Sequence, residues 1–390
     1  MARNLRVSSA GTNESSWPAA FVAGPEDREA LAVLLSLASL APRRLLDAAQ
    51  GRGSARSCLR AVRAGRLGSA GDGERARNLD GAAILSKLPA AGARLVAVHD
   101  QEYPNELLEL FDPPAGLFIR GRDLGELQPR VAIVGARHCS PGGNEVASLL
   151  GAGLARAGVC VVSGGARGID AAAHRGALEA GGSSLSVMGC GIDMAYPRQN
   201  RDLLERIAAS GALVSEYPPG VPAEPFRFPA RNRIVAALSR AVVVVEGAAG
   251  SGSMITADHA LDIGREVYAV PGAVTSPLSW VPHGLVRDGA TLIRGPEDLL
   301  ADLGLTVSVG GSAESSVATP IGSPTAGSLN GVERRVWEAL TVASPADALA
   351  RGTGLPLPEV ASALVGLEMR SLVRHVGGRY ERRVVGGGSS

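Results

Sequence analysis

"VVSGGARGIDAAAH", residues 161–174, sets an apolar run against two glycines, an arginine and a stretch with helical spacing. A buried strand that ends in free backbone amides and a cation suits a negatively charged ligand. The junction recurs. "VAIVGA" at 131, "VCVVSGG" at 159, "SLSVMGCG" at 184, "ALVSEYP" at 212, "AVVVVEG" at 241 and "REVYAVPG" at 265 are short apolar runs, most of them closing on glycine. Their hydrophobicity is continuous rather than alternating, the mark of strands buried on both faces. Between them, "GNEVASLLGAGLARAG" and "DAAAHRGALEAGG" have helical spacing and stop at glycine. The fold class is α/β: a Rossmann-like, doubly wound, mostly parallel sheet. Ligands of such sheets lie beyond the carboxyl ends of the strands.

The chain has 390 residues, enough for one large core and smaller flanking domains. Residues 1–24 read as a disordered polar start without a signal-peptide pattern. Residues 25–95 read as a small helical domain of SAM or helix-hairpin-helix type, residues 96–303 as the Rossmann-like domain, and 304–330 as a linker rich in Gly, Ser and Pro. In 331–385, "GVERRVWEAL", "SPADALARGTGL" and "PLPEVASALVGLEMRSL" followed by "VRHVGGRYERRVV" give three helices and a hairpin, the order of a winged helix.

The longest apolar stretch, near Ala30 to Ala41, is too short to span a bilayer, and the expected location is cytoplasmic, with no membrane partner. Cys58, Cys139, Cys160 and Cys190 have neither CxxC spacing nor a histidine cluster, which excludes a zinc-ribbon pattern and a disulfide framework. A net charge of +1 leaves any polyanion binding local. Lys87 is the only lysine, so basic contacts fall to arginine, which can grip a phosphate with two donors.

Five segments bear on chemistry. "VGARHCSPGG", 134–143, puts Arg137 at a strand end without the GxGxxG fingerprint of dinucleotide binding. The opening stretch offers Ser163, Gly164, Gly165, Arg167 and Gly168, and "AYPRQN" adds Arg198 and Asn200. "FRFPARNR" interleaves Phe228 with Arg231, Asn232 and Arg233, the mixture of stacking and phosphate contact that single-stranded nucleic acid needs. "EGAAGSGSMITA" brings Ser251, Gly252, Ser253 and Thr256, small donors for a closely approaching backbone. His174, one helical turn after Asp170, admits a catalytic or metal reading; packing behind the loop is the favoured one. The pattern binds, and no catalytic residue set or metal-ligand set stands out.

In this order and spacing, "VGARHCSPGG", "SGGARGIDAAAH", "GCGIDMAYPRQN", "SEYPPG", "FPARNRIVAALS", "VVEGAAGSGSMITA" and "REVYAVPG" resemble the DNA-processing protein A (DprA/Smf) family from about Tyr103 to Leu300. The resemblance implies a Rossmann-like domain used without a nucleotide cofactor. It also implies that the protein binds and protects single-stranded DNA, helps load the RecA recombinase during natural transformation and recombination, and forms a homodimer. By the same resemblance Arg137 takes the arginine of the family's "GSR" turn, Arg198 the basic position of "YPxxN", and Arg231, Asn232 and Arg233 its "RNR". Ala136 replaces the usual serine, Gly250 a frequent basic residue, and "SWVPHG" at 279–284 a glycine-rich loop. Two other readings stand beside it: a Rossmann-type nucleotide phosphoribohydrolase of the lysine-decarboxylase-like group, and a winged-helix transcription regulator reading duplex DNA through Arg374, His375, Arg379, Arg382 and Arg383.

Overall fold

The computed structural model describes residues 16–305, 329–370, 372–376 and 378–382. Most of the expected polar start, most of the linker, and Arg383 lie outside the described residues. The chain divides into two compact units, 1–307 and 308–390.

The first unit is built on a nine-stranded sheet. Its strands are β1 (Ala93–Ala97), β2 (Gly116–Gly121), β3 (Arg130–Val134), β4 (Cys160–Ser163), β5 (Ser184–Met188), β6 (Ala212–Ser215), β7 (Ala241–Val244), β8 (Glu266–Ala269) and β9 (Thr291–Leu292). They lie in the order β1-β2-β6-β5-β4-β3-β7-β8-β9. From β6 to β9 every pairing is parallel, whereas β2 runs antiparallel to both β1 and β6. All six apolar runs of the sequence are strands of this sheet. The chain winds outward from β3 through β4, β5 and β6, then returns to β7 on the other side of β3. The β3/β7 junction is therefore the topological switch point, where such sheets leave a crevice.

Continuous apolar runs follow from burial on both faces. Val131 and Ile133 of β3 point into one core with Leu150, Leu154 and Ala173, while Ala132 and Val134 point into another. Fully burying each valine or isoleucine contributes about 1.5–3 kcal/mol, so the sheet is fixed in register chiefly by this two-sided packing.

The second of those cores runs across the expected domain boundary at residue 95. Helices Pro25–Leu34, Pro42–Arg52, Ala55–Arg63, Ala70–Asn78 and Gly81–Leu85 form the helical region. Their Leu31, Leu46 and Val62 belong to the same buried cluster as Leu117, Val134 and Val242 of the sheet. The helices of 25–95 pack on one another and also share the buried cluster of the sheet, within the same first unit.

The second unit has helices Gly331–Ala339, Ala346–Thr353 and Leu357–Met369, then β10 (Val373–Val376) paired antiparallel with β11 (Arg379–Arg382). Ser344 bridges to Tyr380, adding the third position of a winged-helix sheet. Its own core gathers Val336, Trp337, Leu349, Val360, Leu364 and Leu367. The basic wing expected here is largely spent internally. Arg374 pairs with Glu381 at 2.7 Å, Arg379 donates to the Ala343 carbonyl at 3.1 Å, and Arg382 lies over Trp337 and donates to its carbonyl.

Candidate nucleic-acid interface

A cavity of about 450 Å³ opens at the switch point. Its wall includes Arg137 and His138 from the loop after β3, Gly164 from the turn after β4, Asp170 from the first turn of the helix Ile169–Glu179, Arg231 and Asn232 from the helix Arg227–Ala237, and Ser251, Gly252, Ser253 and Thr256 at the start of the helix Gly252–Asp262. Candidates drawn from four separate stretches of sequence therefore meet in one place.

The expected site residues divide into those that face outward and those that hold the rim together. Arg198, Arg167 and Arg137 are exposed and leave the ends of β5, β4 and β3, which are consecutive neighbours in the sheet. Arg137 and Arg167 stand three and four residues past their strands, and Arg198 opens the short 3-10 turn Arg198–Asn200 that Asn200 ties back to Gly165, so all three lie in loops at the carboxyl edge of the sheet. None of the three is in an ion pair among the described residues. Arg137 lies over the ring of Phe228 at 5.4 Å, and Phe228 stacks on Tyr196 at 5.0 Å between centroids. Tyr196 is 45% exposed, leaving its outer side open. Beyond Arg137, Ser251 and Ser253 share a hydrogen bond of 2.6 Å, and Thr256 donates to the Gly252 carbonyl.

The inward set braces neighbouring loops. Ser163 is fully buried and its hydroxyl donates to the Ile133 carbonyl at 2.6 Å, tying β4 to β3. Gly168, at φ 76°, adopts a left-handed conformation that glycine tolerates best, and a Cβ there would overlap the Ala136 carbonyl oxygen. Asn200 is buried and donates to the Gly165 carbonyl at 3.0 Å, tying the loop after β5 to the turn after β4. Asn232 donates to Gly252 at 3.1 Å.

The two arginines of "RNR" depart from the expected phosphate contact. Arg231 is 5% exposed, and its guanidinium donates to the carbonyls of Gly164 and Val187. A Cβ at Gly164 would fall inside that guanidinium, so the "SGG" glycine is there to admit an arginine from within the protein. Burial pulls the Arg231 guanidinium below its ordinary range; the Asp170 carboxylate opposes this and Arg137 adds to it. Arg231 still borders the cavity. Arg233 does not: its side chain is 4% exposed and bonded to Glu216 at 2.7 Å and Asp112 at 3.1 Å. Burial lowers the Arg233 guanidinium, and Glu216 and Asp112 more than offset it, so the net direction is upward. With both carboxylates holding it, Arg233 has no charge to spare for a ligand.

His174 is fully buried, with Nδ1 2.7 Å from the Ser184 hydroxyl, which in turn donates to the Val161 carbonyl. Burial pushes the imidazole down to about 3, with Arg231 and Arg175 adding to the effect, so the ring is neutral and packed. Among the described residues no cluster of histidine, cysteine and carboxylate side chains is placed to hold a metal ion, and no helix is long and apolar enough to cross a membrane. Sequence reasoning missed Tyr196, although an aromatic one residue after Ala195 in a strand-end turn was visible, and it missed His138 on the cavity wall.

The family model described as DNA recombination-mediator protein A matches residues 94–304. The chain belongs to that family. The DprA winged helix domain model matches residues 322–379. Protein Smf of Escherichia coli K12 is 38% identical over 294 residues, spanning 74% of this chain and 77% of the relative. The crystal structure of DNA processing protein A from Streptococcus pneumoniae is 34% identical with a TM-score of 0.56, over 71% of this chain and 93% of that one. A second structure of the family, solved for the single-stranded DNA binding mode of the Helicobacter pylori protein, is 28% identical with a TM-score of 0.50, over 55% of this chain and 97% of that one.

Proposed function

We propose that this chain is a non-catalytic mediator that binds single-stranded DNA along the rim of the sheet, protects it and helps load the RecA recombinase during natural transformation and recombination, acting in the cytoplasm as a homodimer. The observation that carries the reading is the set of exposed cations without an ion pair, Arg198, Arg167 and Arg137, in the loops that follow three neighbouring strands, together with the Phe228–Tyr196 stack under Arg137. Cations track a flexible backbone, and an aromatic face accepts any base, which is how sequence-tolerant single-strand grooves work. Gly164, Gly165 and Gly168 let the turn after β4 pack tightly on Arg231, Ser186 and the Ala136 backbone, Ser163, Asn200 and Arg231 hold the loops in place, and Asn232, Ser251, Gly252, Ser253 and Thr256 offer small polar contacts at the far side. Family membership and the relative described by its single-stranded DNA binding mode support the same reading. It takes no cofactor.

Fluorescence anisotropy with a thymidine oligonucleotide and with a duplex of equal length, across a salt series, tests it. The single strand should bind more tightly, with log affinity falling linearly in log salt by about 0.7 per phosphate neutralised. Equal affinity for both, or indifference to salt, would defeat the reading. The phosphoribohydrolase alternative is tested by incubation with AMP: released adenine would establish it.

A further inference from the structure

The helix that follows the central strand β3, Pro141–Arg156, starts at Ser140, whose hydroxyl accepts the Gly143 amide at 2.9 Å. In a doubly wound sheet this helix start, at the switch point, is where a nucleotide phosphate is ordinarily received. Here an anion from the protein is already present. Glu246, just past the end of β7 on the other side of the switch point, accepts the Ser140 amide on Oε2 at 2.8 Å and the Ser140 hydroxyl on Oε1 at 2.6 Å. Its own carbonyl accepts the Ala136 amide at 2.8 Å, so one residue clasps both ends of the loop that carries Arg137. Gly143 makes the room: a Cβ at that position would overlap the Glu246 carboxylate.

We propose that Glu246 is a built-in stand-in for a ligand phosphate and so a specificity-determining residue of the rim. Its carboxylate takes the donors a free nucleotide or inorganic phosphate would need, and its charge repels another anion from the same spot. Because the carboxylate is part of the chain, its local concentration exceeds that of a competing ligand in solution. What remains for a polymer is the outward row of Arg137, Arg167 and Arg198; this last step rests on the single-strand reading above, whereas the filled seat does not. The fold thereby keeps the open crevice of nucleotide-binding proteins while the helix start beside it, at Ser140, is filled by the chain's own carboxylate.

The test is refilling the seat from solution. Full-length wild type, Glu246→Ala and Glu246→Gln are melted in phosphate and in chloride at equal ionic strength. Glu246→Ala should melt below wild type in chloride and regain stability in phosphate with the concentration dependence of a ligand that binds only the folded state. Glu246→Gln keeps the bulk and loses the charge; it should melt lower and regain no more than wild type, which separates refilling from the general stabilising action of phosphate. An equal phosphate response in all three proteins, or a Glu246→Ala protein that phosphate restores at no concentration, overturns the proposal. A second measurement uses wild type alone: millimolar AMP or pyrophosphate should leave a bound thymidine oligonucleotide in place, and displacement overturns the closed seat. A wild type that binds no oligonucleotide at all defeats the single-strand reading, and the melting series still decides the role of Glu246.

Discussion

The arginines of the helix Arg227–Ala237 and the arginines of the strand-end loops carry the same guanidinium to different ends. Arg233 is enclosed with two carboxylates and Arg231 is spent on two backbone carbonyls, whereas Arg137, Arg167 and Arg198 stand in solvent with no carboxylate beside them. Position, not composition, separates a charge that holds the fold from one that can meet a ligand. A buried cation must be compensated where it stands, and compensation removes it from binding.

That contrast can be broken by substitution, most forcefully inside. Arg233→Met should cost about 3–5 kcal/mol in chemical denaturation, because the buried Glu216 is left without its counter-charge while the half-buried Asp112 loses its partner. The salt dependence of DNA binding, measured on the folded fraction, should keep its slope; a shallower slope would make Arg233 a phosphate contact after all. On the rim the signs reverse. Phe228→Ala should weaken single-strand binding by about 1–3 kcal/mol by removing a stacking surface. Arg137→Ala should cost about 1.5 kcal/mol, roughly tenfold in affinity, and flatten the salt slope by about 0.7, with the denaturation midpoint unmoved. Loss of stability in Arg137→Ala without loss of affinity would place it in the inner class.

The smallest effect belongs to an exposed arginine that has a partner. Arg294 hydrogen-bonds Asp298 and, with the Arg294 amide, holds that carboxyl down to about 2. A depressed carboxylate contributes its stability above its unfolded value, and that contribution disappears as the pH falls through about 2. In Arg294→Ala the NMR titration of Asp298 should move up toward the ordinary carboxylate range, with oligonucleotide affinity unchanged. A drop in affinity would mean that pairing on the surface does not exclude an arginine from binding.

The sheet was legible because its signal is local: six apolar runs bounded by glycine suffice to name six strands. β9 was not, since a two-residue strand with both residues exposed leaves no apolar run to read. The site was legible as a set of glycine-rich turns, and Arg137, Gly164, Asn232 and Ser251 do meet. The fate of Arg233 was hidden because its partner Asp112 lies 121 residues away, and nothing in "FPARNR" reports a carboxylate brought in by the fold. Gly164 was read as part of a turn that receives a ligand and proves to be an opening for Arg231; Gly143, which drew no reading of its own, is the same kind of opening for Glu246. A glycine announces that something comes close without saying whether it arrives from solution or from the same chain.

The core shared by the helical lobe and the sheet has a practical meaning for dissecting the protein. A truncation beginning where the family match begins, at residue 94, would strip Leu31, Leu46 and Val62 from their neighbours and bare the apolar underside of β2 to water. Such a fragment is expected to aggregate, so engineers seeking a minimal version should trim elsewhere, and grafting the lobe from one relative to another would demand matched side chains on both halves of the seam.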